Sequence, residues 1–291
     1  MGMRMNILVT GAAGQLGKTI ANAVQNCSNR YFLCDVQDLD ITDAQVVEEY
    51  VKQNGINVIV NCASYTAVDK AEDDAEIADA VNHKAVAAMA KIAKDNDAVL
   101  MHISTDYVFD GTACVAYKED SQTNPLSVYG RTKADSEHAV TESGCRYIIF
   151  RTSWLYGTEG NNFVKRIIEK SAENPVLKVI SDQIGTPTFA DDLAGLIVSI
   201  IEEDKLDKTG IYNYSNEGVC SWYDFAHEIC AQTGHLCDVL PCHTDEYPRK
   251  AARPHFSVLD KTKVKETFGI EIPHWKDSLT LCMNELKGKI Y

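Results

Sequence analysis

The sequence predicts an α/β protein in which a doubly wound parallel sheet is followed by a smaller C-terminal α/β lobe. Three observations support this prediction. Short apolar, β-branched segments alternate with amphipathic helical segments over the first 153 residues. A glycine-rich turn joins the first strand to the first helix. After Trp154 the alternation loosens, and the final third contains most of the prolines. Alternating strands and helices favour a parallel sheet with right-handed crossovers.

The elements of the large domain follow one another as strand–helix pairs. The predicted strands are MNILVTG, RYFLCD, INVIVNCAS, AVLMHIST and RYIIFRTS, and the helices between them are QLGKTIANAVQ, DITDAQVVEEYVKQ, AEIADAVNHKAVAAMAKIAKDN and residues 132–142. The first strand is short and apolar, which is typical of a buried parallel strand. The first helix has an apolar face that includes Leu16 and Ile20. Thr42 or Asp43 is suited to cap the second helix.

Beyond Trp154 we expect helices at NNFVKRIIEKSAEN, ADDLAGLIVSIIEE and SWYDFAHEICAQTG, with strands within LKVISDQIGTPTF and GIYNYS. We therefore predict a large domain of residues 1–153, to which residues 178–205 return. The smaller lobe is then formed by residues 154–177 and 206–291.

The composition restricts the partners of the chain. The net charge is −14, and such a surface repels the phosphates of nucleic acids and anionic membranes. No apolar run reaches the roughly 18 residues of a transmembrane helix, and no signal peptide precedes the first strand. Ten scattered cysteines without a CxxC pair are typical of reduced thiols. We expect a cytoplasmic protein that acts on a small molecule, without nucleic acid or membrane.

The segment HLCDVLPCH, from His235 to His243, carries two cysteines and two histidines. Zinc sites show tighter cysteine pairs, whereas Cys237 and Cys242 are separated by four residues that include a proline. We interpret this segment as a strand and a turn that contain thiols, and we assign no metal ligand.

The turn TGAAGQLG has glycines at positions 11, 14 and 17, directly after a strand and at the start of a helix. Glycines there allow a tight turn and close approach of a diphosphate, which the N–H groups of the helix start receive. In this context the motif predicts a Rossmann-type dinucleotide site rather than a turn without a ligand. The predicted cofactor residues of this turn are Gly11, Gly14, Gln15, Leu16 and Gly17.

Asp35 ends the second strand, eighteen residues after Gly17. An acid at this place binds the ribose hydroxyls of the adenosine and repels a 2′-phosphate, which favours NAD over NADP. A simple surface acid is the alternative. Asp40 and Ile41 follow closely and belong to the same predicted site, so the preference between NADH and NADPH stays open.

The segment NCASYTAVDKAE follows the third strand, whose carboxyl end faces the ligand crevice of such a sheet. We expect Cys62, Ala63 and Ser64 to lie along the cofactor. Val68 and Asp69 continue towards the substrate.

Thr105 lies at the carboxyl end of the fourth strand, and Tyr129 and Lys133 lie four residues apart at a helix start. A neighbouring ammonium and a nicotinamide cation favour the phenolate of a tyrosine, whose ordinary pKa is about 10. Tyr129 is then suited to give a proton to a carbonyl oxygen while a hydride reaches the carbon, with Thr105 orienting that oxygen. Lys133 is also suited to hold the cofactor ribose, so Tyr129 and Lys133 belong to the predicted cofactor site as well. Alone, each residue is equally well explained as a buried hydroxyl or a surface lysine.

At these residues the chain resembles the extended short-chain dehydrogenase/reductase superfamily and, within it, the dTDP-4-dehydrorhamnose reductase family. The resemblance implies catalytic Thr105, Tyr129 and Lys133, and NADPH or NADH as cofactor. It also implies that Val68, Thr105, Asp106 and Trp154 contact the nucleotide sugar. The similar segments are GAAGQLG, NCASYTAVDKAE, STDYVFDG, YKEDSQTNPLSVYGRTKADSE, FRTSWLYG, NNFVKRI, DQIGTPTFADDLA, GIYNYSNEGVCSWYDFA, RPHFSVLD and FGIEIPHW.

Some members of that family hold Mg²⁺ with acidic side chains at a dimer contact. One of those acids corresponds to Thr19 here, whereas Asp191 is present at the other place. This departure from the family pattern at Thr19 argues against a bound Mg²⁺. Whether the chain forms a homodimer stays open.

A basic segment, YPRKAARP, stands out in this acidic chain. Arginine forks match phosphate geometry. We expect Arg253 to contact the diphosphate of the nucleotide sugar; a solvated loop is the alternative.

The resemblance implies reduction of the C4 ketone of dTDP-4-dehydro-L-rhamnose to dTDP-L-rhamnose, with Tyr129 as proton donor. Two alternatives remain. A nucleotide-sugar epimerase or dehydratase is one, although dehydratases place Glu where Tyr107 stands. The other is a non-catalytic NAD(P)-binding subunit, similar to the regulatory subunit of a methionine adenosyltransferase.

Overall fold

Six parallel strands form the central sheet of the computed structural model, which describes residues 4–290 and the side chains of residues 4–288. The strands are β1 (Asn6–Thr10), β2 (Arg30–Cys34), β3 (Val58–Asn61), β4 (Val99–Thr105), β5 (Arg146–Thr152) and β10 (Gly210–Asn213). Their order is β10-β5-β4-β3-β1-β2, and every neighbouring pair is parallel. Strands β2 and β3 lie on opposite sides of β1, so the order of the strands reverses there and a crevice opens at the carboxyl ends of β1 and β3.

Helices cover both faces of this sheet, as a doubly wound fold requires. On one face, α1 (Gln15–Ala23), α8 (Ala190–Glu202) and α10 (Thr262–Phe268) pack against the strands. On the other face lie α2 (Ala44–Asn54), α5 (Ala85–Asp95) and α6 (Val128–Glu142). The apolar residues of each strand alternate between the two cores, as the two-residue period of a strand dictates. The predicted fold class is confirmed.

Three short helical elements lie between β3 and α5. They are α3 (Val68–Ala71), α4 (Ala75–Asp79) and a five-residue π-helix at Ala80–Lys84 that leads into α5. A 3₁₀ turn at Asp106–Val108 follows β4. Asp43, one of the two expected caps, accepts hydrogen bonds from the backbone nitrogens of Gln45 and Val46 at the start of α2.

The C-terminal lobe is a second α/β unit with its own apolar core. It contains α7 (Phe163–Glu173), β7 (Val176–Ile180), α9 (Trp222–Thr233), β12 (Asp238–Cys242) and α11 (Trp275–Ile290). Strands β7 and β12 pair in parallel. Two further short pairs, β6 (Leu155–Tyr156) with β9 (Thr188–Phe189) and β8 (Ile184–Gly185) with β11 (Cys220–Ser221), join the lobe to the large domain.

Strand pairing differs from the expected domain limits in two places. Residues 178–180 belong to β7, which pairs with β12 in the lobe rather than returning to the sheet. Gly210–Asn213, which we expected in the lobe, is the sixth strand of the sheet and pairs with β5. Both differences have one cause, since a short apolar strand fits either sheet and only long-range pairing decides between them.

Helix α6 begins at Val128, four residues before the expected start. The hydroxyl of Ser127 accepts a hydrogen bond from the backbone nitrogen of Gly130 and caps the helix. Within residues 4–290, no helix has the length and apolar character needed to cross a membrane.

Candidate active site

The turn between β1 and α1 requires glycine at two positions. Gly11 has a φ of +65°, and a Cβ on it would lie 2.6 Å from the backbone nitrogen of Ala63. A Cβ on Gly17 would lie 2.2 Å from the carbonyl oxygen of Gly11. The first turn of α1 carries no acidic side chain. The N–H groups of this helix start therefore form a cradle that suits a diphosphate.

A cavity of about 480 Å³ extends from this turn along the carboxyl ends of β1, β2 and β3. It brings together eight of the predicted cofactor residues: Gly11, Gly14, Asp35, Asp40, Ile41, Cys62, Ala63 and Ser64. A larger cavity, of about 720 Å³, lies at the opposite end of the strands and is lined by residues such as Asn57 and Val99. Ligands of open parallel sheets bind at the carboxyl ends, so the smaller cavity is the candidate cofactor site.

Five predicted cofactor residues do not line this cavity; two are Tyr129 and Lys133 of α6, and three belong to the start of α1. Leu16 packs into the core beneath the sheet, and Gly17 packs against the backbone of Gly11. Gln15 accepts a hydrogen bond from Asn162 through its side-chain oxygen. These three residues lie in the first turn of α1, so only their backbone faces the expected diphosphate, because a helix points its N-terminal N–H groups along its axis.

Two carboxylates line the part of the cavity next to β2. Asp40 accepts two hydrogen bonds from Thr42, whose hydroxyl is the larger cause of the lowered pKa of that carboxyl. Asp35 lies at the end of β2, in the same wall. No lysine or arginine belongs to the described lining of the cavity. This wall suits ribose hydroxyls better than a 2′-phosphate.

Asn82 is a residue of the candidate site that sequence reasoning missed. It is fully buried in the π-helix, and its Oδ1 accepts hydrogen bonds from the Ser64 hydroxyl and the Tyr65 backbone nitrogen. Its Nδ2 donates to Thr132 Oγ1, next to Lys133. Asn82 therefore ties the wall of the cofactor cavity to the helix that carries Tyr129 and Lys133. No local signal in the sequence marked it, because Asn82 stands beside the polar residues His83 and Lys84.

The three predicted catalytic residues come from the end of β4 and the first turns of α6. Thr105 Oγ1 accepts a hydrogen bond from the Tyr107 backbone nitrogen and donates to Asp106 Oδ1. Lys133 is almost fully buried, and its Nζ donates to the carbonyl oxygen of Ile103 at 2.6 Å. Tyr129 is half-buried and close enough to Thr105 for a hydrogen bond between their side chains. The structure therefore places the Thr105 and Tyr129 side chains together, with Lys133 one helical turn further along α6.

Burial gives Tyr129 and Lys133 protonation states that differ from our expectation. Desolvation raises the pKa of Tyr129 to about 12, with the hydrogen bond from Thr105 partly offsetting it and the charge of Asp106 adding to it. Desolvation lowers the pKa of Lys133 to about 7, against the charges of Glu137 and Cys62. Among the described residues, the causes of the raised Tyr129 pKa do not include the Lys133 ammonium. Tyr129 keeps its proton at neutral pH, as a proton donor must.

Asp106 adds a buried carboxyl to this site. Burial raises the pKa of Asp106 to about 6, and the nearby hydroxyls of Ser257 and Thr105 partly offset that rise. Its Oδ2 is buried and makes no hydrogen bond within the described part of the chain. A buried oxygen without a partner is costly, so this atom is suited to meet a polar group of a ligand.

A second cavity, of about 470 Å³, lies between the active site and the C-terminal lobe. Its wall combines the aromatic rings of Phe163, Trp222 and Tyr247 with Tyr107, whose ring contacts that of Tyr129 at a centroid distance of 5.7 Å. Five cationic side chains complete it: Arg166, Lys170, Lys178, Arg249 and Arg253. Aromatic faces and clustered cations suit a base and phosphates, respectively.

Trp154 is not part of the wall of this cavity but packs against Trp222, which is. Its ring stacks on that of Trp222 at a centroid distance of 3.6 Å, and its backbone has a φ of +48°. Gly185 leaves the space for it, because a Cβ there would lie 2.8 Å from the indole ring. A residue other than glycine with a positive φ is strained, and such strain concentrates at functional sites. Sequence reasoning named Trp154 but missed its partner Trp222.

Arg253 lies in the wall of the second cavity and forms a two-point ion pair. Its guanidinium donates to both carboxylate oxygens of Asp69, at 3.0 and 2.9 Å. Hydrogen bonding from Arg253 is the main reason that the pKa of Asp69 falls to about 2. Asp69 follows Val68 at the start of α3, so this pair joins the large domain to the loop before residue 254.

Comparison with known proteins identifies the family. The family model described as the RmlD substrate binding domain matches residues 5–287. The chain belongs to this family. A dTDP-4-dehydrorhamnose reductase of Aggregatibacter actinomycetemcomitans is 38% identical over 283 residues, which cover 94% of this chain and 96% of that protein.

Two solved structures of RmlD family relatives superimpose over nearly the whole chain. A dTDP-4-dehydrorhamnose reductase of Clostridium acetobutylicum is 42% identical with a TM-score of 0.94, covering 97% of this chain and 100% of that one. The corresponding protein of Bacillus anthracis, in complex with NADP, is 35% identical with a TM-score of 0.93 and the same coverage.

The RmlD family resemblance raised the question of a metal, and the residues concerned are now located. Thr19 is buried, and its hydroxyl donates to the carbonyl oxygen of Gln15. Asp191 lies in the first turn of α8. Among the described residues, one cluster has three possible ligand side chains, Asp79, His83 and Asp135. The ammonium of Lys84 lies 2.8 Å from Asp79 Oδ2 and already compensates that charge.

Proposed function

We propose that this chain reduces the C4 ketone of dTDP-4-dehydro-L-rhamnose to dTDP-L-rhamnose, using NADH or NADPH. The observation that carries the proposal is the position of Thr105, Tyr129 and Lys133 between two cavities of different chemistry. Lys133 faces Cys62 of the cofactor cavity, and Tyr129 contacts Tyr107 of the second cavity. The high identity to dTDP-4-dehydrorhamnose reductases supports the same activity here.

The cofactor cavity fits a reduced nicotinamide dinucleotide, which supplies the hydride for C4 when it is bound. The glycine turn would hold its diphosphate, and Asp35 would bind a ribose. The NADP complex of the Bacillus anthracis relative supports this choice of cofactor.

The chain's own residues would supply the proton and the orientation. Tyr129 keeps its phenolic proton at neutral pH and gives it to the C4 oxygen as that atom becomes negative. The Thr105 hydroxyl would turn its proton from Asp106 Oδ1 to the same oxygen and so orient the ketone. One hydride on carbon and one proton on oxygen convert the ketone to the hydroxyl group of the product. The resulting tyrosinate would take its replacement proton from the Lys133 ammonium.

The second cavity would bind the nucleotide part of the substrate. Trp222, Phe163 and Tyr247 offer aromatic faces to a thymine base, and Arg166, Arg249 and Arg253 offer charge to a diphosphate. Trp154, Asp106 and Val68 would face the sugar. The basic cavity explains how an acidic protein accepts an anionic substrate, because local charge rather than net charge decides binding at short range.

The reaction has consequences for partners and location. A small nucleotide sugar is the expected substrate, and nothing in this chemistry needs a nucleic acid or a membrane. We place the protein in the cytoplasm, where reduced nicotinamide cofactors are regenerated. A homodimer is compatible with the proposal but is not needed to complete the described site.

The direct test is to follow consumption of NADH and of NADPH with dTDP-4-dehydro-L-rhamnose, while product formation is measured by chromatography. The proposal predicts one product molecule for each cofactor molecule consumed. A protein that retains NAD tightly and converts the sugar without net consumption would be an epimerase or dehydratase. Folded protein that binds cofactor but converts no 4-keto sugar would instead favour the regulatory-subunit alternative.

A further inference from the structure

His102 is a fully buried histidine in β4 that touches the proposed catalytic lysine. Its Nε2 lies 3.1 Å from Lys133 Nζ. The mechanism above does not use this imidazole. The polar groups around it have fixed donor and acceptor roles, so the position of its proton follows from the geometry.

The contact on the Nδ1 side of the ring is determined by Asn61. Asn61 Oδ1 accepts hydrogen bonds from the backbone nitrogen of Ala63 and from the Thr10 hydroxyl, at 3.2 and 2.7 Å. A backbone N–H can only donate, so this atom of Asn61 is the oxygen. The amide nitrogen of Asn61 therefore faces His102 Nδ1 at 3.1 Å. Because that nitrogen donates, Nδ1 of His102 accepts and carries no proton.

The contact on the Nε2 side gives the same answer independently. The Ser136 hydroxyl lies 2.6 Å from the carbonyl oxygen of Lys133, which can only accept, so Ser136 gives its proton to that oxygen. Ser136 Oγ also lies 3.1 Å from His102 Nε2, where it can only accept. The proton of the neutral imidazole is therefore on Nε2. Burial, followed by the charge of Lys133, lowers the pKa of His102 well below its ordinary value, so the ring stays neutral.

This tautomer has a consequence for Lys133. An Nε2–H cannot accept a hydrogen bond from an ammonium, and the two donors would face each other at 3.1 Å. The uncharged amine, in contrast, can accept the Nε2–H through its lone pair, so that this proton is shared between Lys133 Nζ and Ser136 Oγ in a three-centre hydrogen bond. Among the described residues, the carbonyl oxygen of Ile103 is the acceptor left for the ammonium.

We propose that His102 is a positioning residue for this reduction, whose Nε2–H favours the uncharged amine of Lys133 over the ammonium and so promotes loss of the lysine proton. The inference rests on the proposed function. After Tyr129 has given its proton to the substrate oxygen, a proton leaves the Lys133 ammonium towards the tyrosinate. The amine that remains accepts the hydrogen bond from His102, and solvent restores the proton before the next turnover.

Other charged groups also affect the pKa of Lys133. Glu137 lies one turn further along α6 and favours the ammonium, as does the thiol of Cys62 when it is ionised. Glu137 is already held by a buried two-point ion pair with Arg151 and accepts a hydrogen bond from Ser104. Asp106 acts on Tyr129, and Tyr129 itself lies one turn before Lys133. None of these groups is changed by a substitution at His102.

The first test is independent of turnover. Long-range ¹H–¹⁵N correlation spectra of the cofactor-free protein report which imidazole nitrogen carries the proton. The chain has eight histidines, and the signal missing in His102→Gln identifies His102. We expect a neutral ring with the proton on Nε2 over the whole range of stability. A proton on Nδ1, or a ring that becomes charged near neutral pH, would overturn the proposal.

The second test is the pH dependence of kcat for wild type and His102→Gln. The carbonyl oxygen of a glutamine reaches the place of Nε2 and accepts from the ammonium, so it raises the pKa of Lys133. Activity needs the lysine proton and falls as pH rises through that pKa. We therefore expect the alkaline limb to move upward by about one pH unit in His102→Gln. An unchanged limb would contradict the proposal.

Two further variants separate this role from packing. His102→Phe keeps a ring in the core but removes the Nε2–H, so we expect lower kcat at neutral pH with unchanged KM for cofactor and sugar. Unchanged kcat in His102→Phe would mean that the ring only fills space. His138→Gln is the matched control, because His138 is an exposed histidine of α6 that pairs with Glu142. If wild type itself lacks turnover, the proposed function fails, while the spectra still decide the tautomer.

Discussion

Tyr129 and Lys133 lie one helical turn apart, and burial moves their pKa values in opposite directions. The phenol becomes harder to ionise and the ammonium easier to deprotonate, because desolvation disfavours the charged form of each. At neutral pH the pair therefore holds a proton on the tyrosine and a readily released proton on the lysine. This combination suits a residue that gives a proton and a neighbour that replaces it.

Asp35 carries the first prediction at the residue scale. Its carboxylate and that of Asp40 line the wall next to β2, where no described cation would bind a 2′-phosphate. We expect kcat/KM to be higher with NADH than with NADPH. Asp35→Asn removes one charge and should reduce that ratio by about tenfold, as expected for a charge contact of about 1.4 kcal/mol. Steady-state kinetics with both cofactors measures it.

Glu48→Gln is the matched control for Asp35→Asn, because Glu48 is an acid on α2 that pairs with Lys52 on the surface. Its ratio of NADH to NADPH activity should equal that of wild type. A wild type that prefers NADPH would show that the two carboxylates do not face the adenosine ribose.

The turn and helix that follow β1 show how one element combines stability with binding. Gly17 lies inside α1, where glycine is ordinarily unfavourable compared with alanine. It is required there because the helix packs directly on the backbone of Gly11 and Ala12. The same close packing sets the position of the N–H groups that would receive the diphosphate.

Gly17→Ala is the prediction at the element scale. Its Cβ would meet backbone atoms that cannot move without displacing the turn, so we expect a loss of about 2 kcal/mol in the free energy of unfolding. We also expect weaker cofactor binding, measured by quenching of tryptophan fluorescence. Chemical denaturation followed by circular dichroism measures the stability.

Gly195→Ala is the control for this change. Gly195 lies in the middle of α8, and a Cβ there would have no neighbour within 4 Å. Alanine should therefore leave cofactor binding unchanged and stabilise the protein by about 0.5–1 kcal/mol. Equal effects of the two substitutions would show that helix propensity, and not the close approach of α1 to the turn, explains the result at Gly17.

At the scale of the whole molecule, the substrate would bind where the large domain meets the C-terminal lobe. The ion pair of Asp69 with Arg253 joins the two, and the cationic cavity lies beside it. Arg253 therefore has two possible roles, since it can hold the lobe through Asp69 or bind the substrate diphosphate.

Substitution of each partner separates these roles. Arg253→Ala should raise KM for the nucleotide sugar by about tenfold or more, because hydrogen bonds to charged groups contribute about 1.5–3 kcal/mol. Asp69→Asn should leave this KM near the wild-type value, because the arginine remains. KM for the reduced cofactor should not change in either variant. Equal increases in both variants would indicate that the pair only holds the lobe.

The sequence predicts most of the fold, because alternating strands and helices carry a local signal. It predicts the site residues of β1, β3 and β4 for the same reason, since strand ends can be located from the pattern. The sixth strand and the limits of the lobe depend on long-range pairing, which local patterns do not encode. Asn82, His102 and Trp222 were missed because each acts through a partner that is distant in the sequence.

The central claim is that Tyr129 gives the proton while hydride reaches C4. The most direct measurement is the rate of hydride transfer in a single turnover, followed by the near-ultraviolet absorbance of the reduced nicotinamide, in wild type, Tyr129→Phe and Tyr147→Phe. Tyr147 is a half-buried tyrosine of β5 that packs in the core and serves as control. The account predicts that Tyr129→Phe is slower by about 100-fold or more, with cofactor binding intact and the control unchanged. Transfer at the wild-type rate in Tyr129→Phe would contradict it.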